Sequence, residues 1–183
     1  MSHDIAHFKQ VQQEADLLFS EAQVEDVLDN LAHQISRDYS NSNPLVLSVM
    51  VGAIVTAGKL LTRLNFPLQT DYIHATRYRG ETSGGKIEWI ARSRVSVEGR
   101  HVLVVDDIYD EGITLEAITE ALKLTGAASV KSVVLANKEH NRKTKYRPEY
   151  IGLNVPDRYV FGYGMDYKSY LRNAPGIFAV KGM

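Results

Sequence analysis

A chain of 183 residues, 44% hydrophobic and 23% charged, has material for one well-filled core. Its 21 Lys and Arg against 22 Asp and Glu leave a net charge of −1, which excludes a strongly basic nucleic-acid binder and a polyanionic tail but not local charge. With no cysteine, disulfides, thiolate nucleophiles, Cys-ligated zinc and iron–sulfur clusters are excluded together. Met1 to Gln10 lacks the apolar stretch of a secretory signal. The most apolar run, Leu45 to Leu61, is broken by Ser48, Gly52, Thr56, Gly58 and Lys59, short of the roughly 20 residues a span requires. The expectation is a soluble cytoplasmic protein, 1–183 as a single domain, without membrane or nucleic-acid partners.

Before Pro44 the chain reads as helix. Val11, Ala15 and Leu18 share one face, and Ser20 with Gln23 fits a capping box for a second helix, whose Val24, Val27, Leu28, Leu31 and Ile35 recur at helical spacing. After Pro44, Leu45 to Met50 fits a buried strand, Ile54 to Leu64 a helix and Leu68 to Ala75 a strand. Arg77 to Lys86 has no apolar face and reads as a mobile loop or hairpin tip, from which Ile87 to Ala91 returns as a strand. Residues 102–105, Val-Leu-Val-Val, form the clearest strand. Ile113 to Leu124 fits a helix ended by Gly126, and Val130 to Ala136 another apolar strand. From Tyr146 onward aromatics, Gly and Pro dominate, with strand-like pieces at Tyr150 to Leu153 and Tyr159 to Gly162. This alternation predicts an α/β domain on a mainly parallel sheet.

The chemistry concentrates in Val102 to Leu115. An apolar strand runs into Asp106 and Asp107, then Asp110, Glu111, Gly112 and Thr114, then a helix. Parallel sheets bind ligands beyond the carboxyl ends of their strands, where the next helix offers free N–H groups suited to a phosphate. Asp106 and Asp107 suit a sugar diol or Mg²⁺, a hard cation that prefers oxygen. Asp110 suits a general base. Three other readings fit parts of the string. Asp106 to Asp110 spells the Asp-Asp-x-x-Asp of prenyl-diphosphate synthases, which sits on long helices rather than after a strand. Val-Val-Asp-Asp matches the first strand of response-regulator receivers, which need a whole small domain after it. An acidic turn capping a helix is the simplest.

The full string, strand, paired acids, Asp, Gly, Thr and helix, resembles the phosphoribosyl-pyrophosphate (PRPP) loop of type I phosphoribosyltransferases. The surrounding chain resembles their hypoxanthine-guanine branch over roughly residues 45–173. That resemblance implies the type I fold: a mainly parallel twisted sheet flanked by helices, with a core of about 40–145. A small hood would come from the N-terminal helices and residues 146–183. It implies transfer of phosphoribosyl from PRPP to a 6-oxopurine, with Mg²⁺ as cofactor and a homodimer or homotetramer. The alternatives are a sibling preferring xanthine or another base, and a nucleotide-sensing regulator that lost the chemistry.

By the same resemblance, Asp106 and Asp107 contact the ribose hydroxyls with Mg²⁺ nearby. Asp110 is the base toward purine N7, and Asp110, Glu111, Gly112, Ile113 and Thr114 cradle the 5′-phosphate. Lys138 donates to the 6-oxo group, Tyr159 stacks on the base, and Val160 and Asp166 border its edge. Asp166 also holds a second Mg²⁺. Val51, Gly52 and Arg172 serve the pyrophosphate, and Arg77 and Tyr78 begin a catalytic lid. Three positions depart from the family pattern. Glu111 stands where Thr or Ser is common, so its side chain is expected to point away. Val51 stands where a basic residue is common, so that loop is expected to act through its backbone, with a non-proline cis peptide. Arg77 replaces a common Ser.

Read without the resemblance, Lys138 begins a basic run with Arg142, Lys143, Lys145 and Arg147 that suits a solvated surface. Tyr159 and Phe161 suit packing on one strand face. The six histidines show no metal spacing. The near-zero net charge conceals two concentrations: four acids within Asp106 to Glu111 and five bases within Lys138 to Arg147.

Overall fold

The computed structural model describes residues 4–77 and 87–183. Its elements in chain order are α1 (Ile5–Glu14), β1 (Asp16–Ser20), α2 (Glu21–Tyr39), β2 (Leu45–Val49), α3 (Ile54–Leu61), β3 (Gln69–Arg77), β4 (Ile87–Ala91), β5 (His101–Tyr109), α4 (Ile113–Leu124), β6 (Ser129–Lys138), β7 (Tyr150–Val155), β8 (Val160–Phe161) and β9 (Gly176–Ala179). Among the described residues they build a six-stranded sheet ordered β4-β3-β2-β5-β6-β7 and a three-stranded sheet ordered β1-β9-β8. Only β4 runs antiparallel in the larger sheet, so the expected mainly parallel α/β architecture with a small hood is what forms. No helix among the described residues is long and apolar enough to cross a membrane.

Every residue of β2 is buried, as are Val102 to Val105 of β5 and Val133 to Ala136 of β6. Strands covered on both faces read as continuous apolar runs, which is why these were visible in the sequence. From β2 the chain turns to β3 on one side, and later to β5 on the other. The carboxyl ends of β2 and β5 therefore flank a topological switch point, the crevice where parallel sheets bind ligands.

The hood departs from expectation at β1. Leu17 to Ser20 does not continue a helix; α1 ends at an extended Ala15, and β1 pairs antiparallel with β9. The helical spacing of Val11, Ala15 and Leu18 was locally valid, but a long-range strand pairing overrides it. β9, also unanticipated, completes this sheet. The capping box forms as expected: Gln23 N–H donates to Ser20 Oγ at 3.4 Å, and Ser20 N–H to Gln23 Oε1 at 2.9 Å. The anticipated division at residue 146 also shifts, because β7 pairs with β6 and so extends the larger sheet.

The described residues form two apolar clusters. The larger fills the main sheet and its helices and takes in Ile177 and Ala179 of β9, and the smaller gathers Phe161, Tyr167, Ala174 and Val180 with Phe8 and Val11 of α1. Val160 packs into the first and Phe161 into the second, so β8 joins the two. A polar knot beside them ties α2, α3 and the turn after β8. Glu25 accepts from Lys59 Nζ at 2.5 Å, from Tyr163 Oη at 2.5 Å and from Arg63 Nη2. Thr56 Oγ1 donates to the Tyr163 carbonyl at 3.1 Å.

Burial alone would raise the Glu25 pKa, but the bonds from Lys59, Tyr163 and Arg63 outweigh it and lower it from 4.5 to about 2. A carboxyl depressed by folding stabilises above its unfolded value and loses that contribution as pH falls through its folded one. Glu25→Gln should therefore lower the melting temperature at pH 7, by roughly 2–4 °C for each kcal/mol lost. The deficit should shrink as pH falls from 4.5 to about 2. Thermal melts of both proteins across that window check this; a pH-independent deficit would contradict it.

Candidate active site

Asp106 and Asp107 lie toward the carboxyl end of β5, at the switch point. Asp106 is half-buried and Asp107 buried. Burial pushes the Asp106 carboxyl well above the ordinary range, and the neighbouring Asp107 charge adds to it. Burial raises Asp107 as well, against the opposing pull of Asp106, the Ile108 N–H and Arg172. Asp106 Oδ1 accepts the Asp107 N–H at 2.9 Å, and Asp107 Oδ1 the Ile108 N–H at 2.8 Å. Arg172 Nη1 stands 3.9 Å from Asp107 Oδ2. Such a pair is stabilised by hydroxyl donors or a cation placed against it.

The loop after β2 presses directly on this pair. Its Met50–Val51 bond is cis, the non-proline cis peptide expected of this loop, and the Val51 side chain is exposed. A Cβ on Gly52 would fall inside the Asp107 carboxylate, and one on Gly164, whose φ is +109°, would collide with the Gly52 carbonyl. Three chain segments thus meet at Asp107 with no room for side chains between them.

After β5 the chain turns through Gly112, φ +87°, into α4. A Cβ there would meet the Tyr109 ring and Thr144 Oγ1. Tyr109 is fully buried and donates to the Tyr146 carbonyl at 2.5 Å, so it forms a rigid floor for the turn. The Glu111 carbonyl accepts the Thr144 N–H at 2.9 Å. No side chain caps α4, whose first turn runs through Ile113 and Thr114. The helix therefore begins, with its leading N–H groups, just beyond the carboxyl end of β5.

Asp110 and Lys138 are brought side by side by register. β5 and β6 are parallel with Tyr109 opposite Asn137, so the next residues of both strands are neighbours. Lys138 Nζ lies 3.1 Å from Asp110 Oδ2. His140 Nε2 lies 2.5 Å from Asp110 Oδ1. Burial would raise the Asp110 carboxyl, but the His140 hydrogen bond and the Lys138 charge outweigh it and hold it below the ordinary range. Of the remaining basic run, Arg142 and Lys143 are tied to neighbouring side chains, while Lys145 and Arg147 are exposed. Arg142 forks onto Asp157 with both contacts at 2.8 Å, and Lys143 donates to Asn137 Oδ1 at 2.5 Å.

A cavity of about 320 Å³ opens between Asp107, Asp110 and Lys138 on the sheet side and Tyr159, Val160 and Asp166 on the hood side. Tyr159 is 41% exposed and meets Tyr167 edge-on at 5.2 Å, whereas Phe161 is buried against Phe178. Only one of the two aromatics packs; the other borders the cavity. Arg172 lies behind Asp166, with Nη2 2.7 Å from Asp166 Oδ1 and Nη1 donating to the Gly164 carbonyl at 2.6 Å. Asp166 Oδ2 accepts the Ser169 N–H at 2.7 Å.

These facts bear on a metal. Asp106 and Asp107 are hard oxygen donors, and burial, which raises both carboxyls, makes a cation placed against them favourable, so the pair fits one Mg²⁺. Asp166 fits less well, since both its oxygens are engaged by Arg172 and Ser169. Among the described residues no three metal-ligating side chains converge. Arg77 ends β3 opposite Ile87, and Tyr78 lies outside the described residues. His140, Tyr109 and Gly164 were not singled out from sequence. The signal for His140 was its place two residues beyond Lys138, readable only once the β5–β6 register is known.

The phosphoribosyl transferase domain model matches residues 15–169. A hypoxanthine-guanine phosphoribosyltransferase of Bacillus subtilis is 32% identical over 182 residues, 99% of this chain and 96% of its own. A bifunctional TilS/HprT protein of Listeria monocytogenes is 36% identical over 166 residues; the match takes in 90% of this chain and only 26% of that protein. The crystal structure of a hypoxanthine phosphoribosyltransferase from Staphylococcus aureus superposes with a TM-score of 0.88 at 28% identity, covering 98% of this chain and 97% of that one. By sequence and by fold, this chain belongs to the phosphoribosyltransferase family, in its hypoxanthine-guanine branch.

Proposed function

We propose that the protein transfers the 5-phosphoribosyl group of PRPP to a 6-oxopurine, hypoxanthine or guanine, giving IMP or GMP and pyrophosphate in purine salvage. The observation that carries this is the pair Lys138 Nζ and Asp110 Oδ2, a donor and an acceptor 3.1 Å apart at the cavity. A 6-oxopurine protonated on N7 offers the matching acceptor, O6, beside the matching donor, N7–H. An ammonium only donates, so the 6-amino group of adenine would leave Lys138 unmatched.

In the reaction the N9 lone pair forms the bond to ribose C1. The bond from C1 to pyrophosphate breaks, its electrons leave on the pyrophosphate, and the N7 proton passes to Asp110 Oδ2. Positive charge developing on the sugar is favoured by Asp106 and Asp107, which also accept from its hydroxyls. The 5′-phosphate takes the backbone N–H groups of residues 110–114 at the start of α4. Pyrophosphate takes the backbone at Val51 and Gly52, beside Arg172. Tyr159 covers the face of the base, with Val160 at its edge. Magnesium, when bound with PRPP at Asp106 and Asp107, offsets charge on the leaving group. The same reading carries with it a cytoplasmic homodimer or homotetramer.

Incubating the purified protein with PRPP, Mg²⁺ and each nucleobase tests the proposal. Pyrophosphate and nucleotide should form with hypoxanthine or guanine, and kcat/KM for adenine should fall at least about 100-fold below. Product with no base would end the enzymatic reading, adenine as best substrate the Lys138 argument, and xanthine as best substrate the stated base preference. Asp110→Asn should lower kcat about 10²–10³-fold and leave PRPP binding near the parent value. Unchanged turnover would remove Asp110 as the base. Chelation with EDTA should stop turnover and added Mg²⁺ restore it; activity undiminished in chelator would remove the metal from the reaction.

A further inference from the structure

We propose that His140 is a positioning residue for Asp110, holding one carboxylate oxygen so that the other alone is presented to the base. The inference rests on the reading of Asp110 as the acceptor of the N7 proton.

The tautomer follows from the backbone. The Arg142 N–H donates to His140 Nδ1 at 3.0 Å, and an amide N–H has no other role to play. Nδ1 therefore presents its lone pair, and the ring hydrogen of a neutral imidazole sits on Nε2. That hydrogen points at Asp110 Oδ1, 2.5 Å away. The His140 side chain is 3% exposed, which leaves little access for water to take over the bond. The turn carrying it is anchored at both ends: the Glu139 N–H donates to the Val155 carbonyl at 2.9 Å, and Arg142 forks onto Asp157. The depressed Asp110 pKa agrees with this arrangement, since the His140 bond is the leading influence opposing burial.

The two partners of Asp110 differ in what they can give up. Lys138 contacts Oδ2 through a flexible four-carbon stem, and a purine O6 beside it offers the ammonium an alternative acceptor. When Lys138 turns to O6, Oδ2 is freed toward N7–H. His140 has no comparable freedom, being held at both ring nitrogens. Without it the carboxylate is free to turn and engage Lys138 with both oxygens, competing with the base for the same ammonium.

The test compares His140→Leu, which fills the space without a donor, with His140→Gln, whose amide N–H can reach Oδ1. His140→Leu should lose about 10- to 100-fold in kcat with KM for PRPP within about twofold of the parent, and His140→Gln should recover most of the loss. Leu turnover equal to the parent, or Gln as impaired as Leu, would overturn the proposal, the latter by reducing His140 to packing. Nitrogen-15 NMR of the histidine-labelled parent reads the bond without any turnover: Nδ1 of His140 should be unprotonated, and a protonated Nδ1 would overturn the proposal even if both variants fold poorly. A parent inactive with every base sinks the function reading, and the positioning role with it. An active parent with an indifferent His140→Leu sinks this inference alone.

Discussion

The site depends on one steric constraint, the meeting of three chain segments at the Asp107 carboxylate. The loop after β2, the end of β5 and the turn at Gly164 come so close that Gly52 and Gly164 have no space for a Cβ. Because β2 and β5 are adjacent parallel strands buried on both faces, the sheet sets the spacing of the first two segments. The third is drawn in by Tyr163, whose carbonyl accepts from Thr56 and whose hydroxyl donates to Glu25. Core packing, the polar knot and the acid pair are thus one mechanical unit. A side chain inserted at Gly52 or Gly164 would move the carboxylates relative to the turn at Gly112.

Within that frame the electrostatics divide the site in two. At Asp106 and Asp107, burial leaves negative charge undercompensated, a place that favours sugar hydroxyls and a divalent cation. At Asp110, a few residues on, Lys138 and His140 supply the compensation themselves, so the carboxylate is ionised and directed. Arg172 belongs to the first side, 3.9 Å from Asp107 and bound to Asp166 and the Gly164 carbonyl. The near-zero net charge of the chain is therefore an average over local fields of opposite sign.

What could be read from sequence was what is encoded locally. The β5 run, the paired acids, Gly112 and the α4 periodicity are contiguous, and their order alone indicates an acidic turn between strand and helix. The Ser20–Gln23 box spans four residues and was equally visible. β1 was misread because Leu18 continues the helical spacing of Val11 and Ala15, whereas the partners of the strand, Phe178 and its neighbours, lie beyond nearly every other element. His140 escaped because its role requires knowing which strand lies beside β5 and in what register. For Asp166, resemblance implied a metal ligand, and only side-chain geometry revealed the engagement of both its oxygens.

The pairing of β1 with β9 has a consequence for how the protein comes into being. Asp16 finds its strand neighbour at Ala179, with the whole parallel sheet lying between them in sequence. As the chain leaves the ribosome, the sheet can assemble from contacts already available, while β1 waits without a hydrogen-bonding partner until β9 emerges. Val160, which with the preceding Tyr159 lines the cavity, sits on the strand that β9 joins. A nascent chain therefore carries the acid pair before it has a roof over it, and the cavity beside the pair closes last.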